Sequence, residues 1–357
     1  MSRIKSLLFV LALATQVPLA SATVTYQVGG CLPKLTSFTT IMGAVGATPR
    51  PNVVKICPGN YPEQVVIGFP VTLEGVSSGN SDQVVITVPA NGLGLFNDGL
   101  GDFLDVQVGV FQTQGEVNIT NLTVDGTGNT VASPNFMVGV LYFNATGTVN
   151  HLNIVNQNGN GLGAAVWLMG GNFNPSVTVE DSNLQNFDNS GLIVKTDPEL
   201  TMTIKGNDLS STYGNTYGIN LAFGIQLTTS ITDNLITAGY EGILIDAGSG
   251  SVSGNKIVNT PVGIDLETDT VSVKSNTIYN TLGGYGIGII ADSSIAPVTD
   301  NTVAQSPIGI YLDCVAGTNV HSNTILDAVY ALYGVPSGAL GANTYYNVTG
   351  GINGGGC

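Results

Sequence analysis

The strongest constraint on this chain is a short pattern that returns every 20 to 27 residues. One element reads Asn-x-apolar and begins at Asn183, Asn207, Asn234, Asn255, Asn276, Asn301, Asn323 and Asn343, with spacings of 24, 27, 21, 21, 25, 22 and 20. A second reads Gly-apolar-x-apolar and begins at Gly191, Gly224, Gly242, Gly263, Gly288 and Gly309. Val and Ile favour strands, while Asn and Gly favour left-handed turn positions. Each unit therefore holds two or three short strands, and no helical period runs through 191–343. A unit this small cannot bury its own apolar face, so units must stack. Stacking sets each strand on its equivalent about 4.8 Å away in parallel sheets, and like Asn residues then form a ladder.

Leucine-rich repeats share this period, and "VSVKSNTI" mimics their core. Their longer Leu-rich connection is replaced here by a second strand such as "GIDL". The chain resembles the right-handed parallel β-helix repeat proteins of the pectin lyase-like class, through the repeats of 118–343 and an opening segment from Thr39 to Gly75 that contains "ICPGNYPEQVVI" and "VTLEG". The resemblance implies an all-β, single-stranded β-solenoid with a short N-terminal cap helix. The cap is expected at about 31–52 and the most regular coils at about 177–345. An open solenoid end would otherwise expose apolar core.

Residues 1–22 read as a secretory signal: Arg3 and Lys5, the apolar "SLLFVLALA", then "ASA". The β-helix domain is then 23–357. No later stretch is long and apolar enough for a membrane anchor. Without the leader the net charge is 7 − 24 = −17 and Arg50 is the one arginine left. Phosphate binding needs clustered Lys and Arg, so nucleic acid is not an expected partner. In an exported chain, pairing Cys31 with Cys57 and Cys314 with Cys357 would staple each end. Zinc is the alternative, although the sequence has no CxxC.

With the second element aligned on its Gly, the next residue and the one two further on are apolar and read as inward. The fourth residue after Gly is then outward: Lys195, Thr228, Asp246, Glu267, Asp292, Asp313. Stacked coils would hold successive carboxylates about 5 Å apart. Beside them runs the stripe Ile193, Gln226, Leu244, Asp265, Ile290, Tyr311. Such a row is resolved by solvation, by a bound cation such as calcium, or by raised pKa values. A pair of glycosidase carboxylates is a further reading.

The complete motifs of polygalacturonase-like hydrolases and of pectinesterases are missing, and Glu63 in "GNYPEQV" reads as a fold residue. An arginine-dependent lyase would have only Arg50, at the cap. "DPE" at 197–199 lacks the His of the uronan epimerase motif. Trp167 reads as core, with a sugar-stacking platform as its alternative. The expected function is binding or processing of extracellular polysaccharide along the acidic outward face by a secreted or periplasmic monomer. Catalytic candidates are Asp246, Glu267, Asp292 and Asp313; binding candidates are Asp265, Tyr311, Tyr240 and Tyr285. If the protein is an enzyme, hydrolysis is expected before lyase or epimerase chemistry. The competing expectation is a non-enzymatic surface or matrix scaffold.

Overall fold

A computed structural model describes residues 23–76, 84–129, 135–195, 199–222, 226–267, 270–281, 286–291, 297–314, 319–355 and 357. The leader and the Asp-Pro-Glu motif's Asp197 and Pro198 lie outside these residues, as do Tyr285 and Asp292. Three long sheets of 13, 12 and 13 strands run the length of the fold, and the chain visits them in turn. Among the described residues the strands of successive coils pair in parallel. The result is a three-sheeted parallel β-helix. Val, Ile and Leu columns from all three sheets fill one continuous core. Each such side chain, fully buried, contributes about 1.5–3 kcal/mol.

The corner between the first and second sheets explains the asparagines. It opens on a left-handed residue, Asp181, Gly206, Asp233, Gly254, Ser275, Asp300 or Ser322, at φ between 47° and 69°. The next residue points inward. Asn255 Oδ1 accepts from the Asn234 backbone N–H at 3.0 Å and from Asn234 Nδ2 at 2.9 Å. Its own Nδ2 donates to Ile231 O at 2.9 Å and to Asn276 Oδ1 at 3.0 Å. The same set joins Asn207 through Asn323 to the following coil. Asn183 is a correction: it pairs with Asp208 and is exposed, and Ser182 holds the ladder position.

The repeated glycines have a different cause from the one expected. Gly191, Gly218, Gly242, Gly263, Gly288 and Gly309 form one column on the third sheet and are not left-handed. A Cβ on Gly263 would stand 2.4 Å from Gly288 O and 2.6 Å from Ile278 Cγ2. The strand is pressed against the second sheet there, so only hydrogen fits. "GIQL" at Gly224 was therefore misaligned. The rung belongs to "GINL" at Gly218, and Gln226–Thr232 is a strand of the first sheet.

The N-terminal end carries the helix Ile41–Val45, which buries Ile41, Ala44 and Val45 in the core. Glu63 accepts from the N–H groups of Ile41 and Met42 at 2.7 and 2.9 Å, and so caps the helix. Disulfides join Cys31 to Cys57 and Cys314 to Cys357.

Asn255→Ala leaves the Asn234 amides without their acceptor and should cost about 3 kcal/mol or more. Asn183→Ala should cost little; denaturant midpoints of the two variants check the ladder register. Gly263→Ala should lower the melting temperature through overpacking worth about 1–3 kcal/mol. Gly68→Ala has open space around the new methyl and should leave the temperature unchanged.

Candidate functional site on the outer face of the third sheet

The outer face of the third sheet is unlike the other two. At its N-terminal end it is covered by the protein itself. Leu95–Asn97 pairs antiparallel with the start of Phe103–Phe111 and folds back over the sheet. Phe96 packs on Phe111 and Phe143 at ring distances of 4.9 and 5.1 Å. Trp167 meets Phe136 at 4.8 Å in the same outer cluster. Trp167 thus occupies an outward column and is nevertheless only 1% exposed. Its platform reading fails because the flap occupies that face. The flap ends at Lys195, which is ion-paired with Asp102 and lies 3.7 Å from Asp98. Part of 96–114 is the strand Phe103–Phe111.

Beyond Lys195 the face opens and becomes acidic. With Gly218 in its true place, the second outward column reads Ile193, Asn220, Leu244, Asp265, Ile290, Tyr311, Tyr333. Asp265 is half-buried there. Asp246 and Glu267 follow Ile245 and Leu266, which are register partners, and their N–H groups donate to Leu221 O and Ile245 O. They therefore occupy equivalent positions one rung apart, about 4.8 Å along the axis. Asp246 is half-buried and Glu267 exposed. Asp313 is exposed and two rungs beyond Glu267, so it stands apart from that pair. Gln226 and Thr228, expected in these columns, belong to the first sheet.

The residue missed from sequence is Glu241. It precedes Gly242, pairs with Tyr217 and Val262, and is 7% exposed. Burial raises its pKa to about 7, and the charges of Asp265, Glu267 and Asp246 push in the same direction. Its Oε2 is buried and accepts no hydrogen bond. Tyr217 is raised too, first by burial and then by Glu241, Tyr240, Asp246 and Glu267. Tyr217 and Tyr240 meet edge to face at 6.1 Å. Glu241, Asp246, Asp265, Glu267 and the two tyrosines therefore form one electrostatic group. Further along the axis, Tyr311 and Tyr333 stack at 5.7 Å with planes 14° apart.

The signal for Glu241 was available. The residue before Gly alternates outward, and its column reads Ser190, Tyr217, Glu241, Val262, Ile287, Ile308. An acid in that mostly apolar column stands out once the alignment starts one residue earlier. Among the described residues no three His, Cys, Asp or Glu side chains converge as a metal ion would need.

Residues 164–325 match the family described as the right handed beta helix region. No curated protein matches the sequence. Among solved structures, the Dettilon tailspike protein aligns with a TM-score of 0.52 and 14% identity, over 82% of this chain and 61% of its own. The tailspike of an Acinetobacter baumannii bacteriophage, a capsular polysaccharide depolymerase, gives 0.51 and 11%, over 92% and 62%. The tailspike of E. coli bacteriophage HK620, in complex with a pentasaccharide, gives 0.50 and 15%, over 85% and 60%. The chain thus spans about three fifths of each of these proteins, and at such identities the likeness is one of fold. Matched in sequence over its most regular coils and in architecture along most of its length, the chain has the right-handed parallel β-helix fold.

Proposed function

We propose that this protein binds and hydrolyses extracellular polysaccharide on the outer face of the third sheet. One observation carries the reading: burial raises the pKa of Glu241 to about 7, in a group with Asp265, Glu267 and Asp246. Two carboxyl groups whose environments drive their pKa values apart are the acid and the base of glycoside hydrolysis. Glu241 gives its proton to the glycosidic oxygen as the C–O bond breaks. The partner carboxylate comes from Asp265, Glu267 or Asp246, either attacking the anomeric carbon directly or removing a proton from the attacking water. The half-buried Tyr217, Tyr240 and Tyr311 offer rings for sugar faces.

Several features support this reading. One solved relative in fold is a capsular polysaccharide depolymerase and another was solved with a pentasaccharide. The two disulfides suit an oxidising compartment, extracellular or periplasmic. No helix among the described residues is long and apolar enough to cross a membrane. Asp292 and Asp313 remain candidates for further rungs of the same acidic edge, and a monomer is sufficient because the site lies within one chain.

Glu241→Gln should abolish turnover with its melting temperature retained, and Asp265→Asn or Glu267→Gln should reduce turnover at least a hundred-fold. Retained activity in all three variants refutes the site. Wild-type activity should fall as pH rises through about 7, because the working form of Glu241 is the protonated one. The sign for stability follows the same group. Its folded pKa lies above the unfolded value, so stability should decline as pH rises from about 4.5 to about 7, and Glu241→Gln should flatten that slope. A scaffold without activity predicts no depolymerisation across a broad glycan panel; the absence of a complete catalytic motif in the sequence favours that second reading.

A further inference from the structure

We infer that the glycan taken by this face is an amino-sugar chain with free ammonium groups, held at the Asp246–Glu267 edge. The inference rests on the site reading above and adds the substrate class. The charge inventory is the first argument. Beyond the leader the chain has seven basic residues: Lys34, Arg50, Lys55, Lys195, Lys205, Lys256 and Lys274. Lys55, Lys205 and Lys274 lie on the first sheet and Lys256 on the second. Lys34 lies in the N-terminal segment, and Arg50 sits over the Phe69 ring. Lys195 alone belongs to the third sheet, and Asp98 and Asp102 hold it. No cation of the protein is left to meet an acidic sugar, and Asp246, Asp265 and Glu267 would repel one.

The second argument concerns what is left unsatisfied. Glu241 is more than nine-tenths buried, stands in an outward column, and feels the charges of all three acids. Its Oε2 has no hydrogen-bond partner, and neither has the buried Oδ1 of Asn220 one rung earlier. Asn220 Oδ1 is an acceptor, and Glu241 Oε2 either accepts or carries the acid proton, so the missing ligand is polar and brings at least one donor. No metal-binding group forms among the described residues, which leaves organic cations as the complement. An ammonium between Asp246 and Glu267 would offset their repulsion, and its N–H groups would suit two carboxylates about 4.8 Å apart. Tyr217 and Tyr240 beside it add ring faces that attract cations. The polymer's hydroxyls would then serve Asn220 and Glu241.

The test is calorimetric titration of the full protein at about pH 5.5, where amines and Glu241 are protonated. The three probes are the glucosamine hexamer, the N-acetylglucosamine hexamer and the galacturonate hexamer. The expected result is one glucosamine hexamer per chain, bound at least ten-fold tighter than its N-acetylated form and more weakly as salt rises. Asp246→Asn with Glu267→Gln should lower that affinity at least ten-fold. Glu116→Gln with Glu180→Gln removes the same charge elsewhere and should not change it. Equal losses in the two double variants, or tighter binding of the galacturonate hexamer, overturn the inference. Equal binding of the N-acetylated hexamer, still sensitive to Asp246 and Glu267, overturns the ammonium and keeps the glycan face. No binding of any hexamer at this face overturns both.

Discussion

In the asparagine ladder each buried amide completes the backbone of the coil before it and is completed in turn by the coil after it. The amide suits the task because it donates and accepts from one planar group. Its Oδ1 takes a backbone N–H and a neighbouring Nδ2, and its own Nδ2 closes on a strand carbonyl. Losing one member leaves several buried polar groups unpaired, a heavier loss than one methyl in the core. The ladder therefore holds the stacking height and the in-register alignment together. Everything on the outer faces inherits that alignment.

Stacking in register has a chemical consequence. A residue type repeated in successive coils is placed beside its own copies, whatever its charge. For Val or Ile this builds the core. For Asp246 and Glu267 it sets like charges about one strand spacing apart. The neighbouring column adds Asp265, and Glu241 is buried among them with its proton held. The flap supplies the other boundary. It covers the aromatic part of the same face and ties off the sheet's one lysine, so the open part of the face carries acids and tyrosines. A carboxyl of raised pKa beside other carboxylates, on a long face of one strand spacing per rung, has room for a polymer along its length.

Where the sequence was readable, the reason was periodicity. From Gly242 onward the coils repeat every 21 to 25 residues, and Asp246, Asp265 and Glu267 stand on the outward side as their alternation requires. The misreadings fell where two local patterns competed. "GIQL" and "GINL" both satisfy Gly-apolar-x-apolar, and only the pairing of Tyr217–Leu221 with Glu241–Ile245 decides between them. "DSNL" offers Asn183 as a ladder residue, but the left-handed turn at Asp181 directs Ser182 inward. Glu241 escaped notice because its importance comes from burial and from Asp265 and Glu267 in the next coil, over twenty residues away. The flap escaped for a similar reason: Phe96 and Phe143 are 47 residues apart and meet only on the folded face.

By itself the sequence determined that this chain must be a solenoid. A unit of some 20 residues cannot bury its own core, and a repeated unit has only its copies to pack on. It also determined which strand positions face out, because strand alternation is local, and which cysteines could meet at each end. The tertiary structure decided which of the outward residues form a site. Proton affinity depends on desolvation and on charges a few ångströms away, and for Glu241 those are set by its burial and by Asp265, Glu267 and Asp246, brought together by the stacked coils.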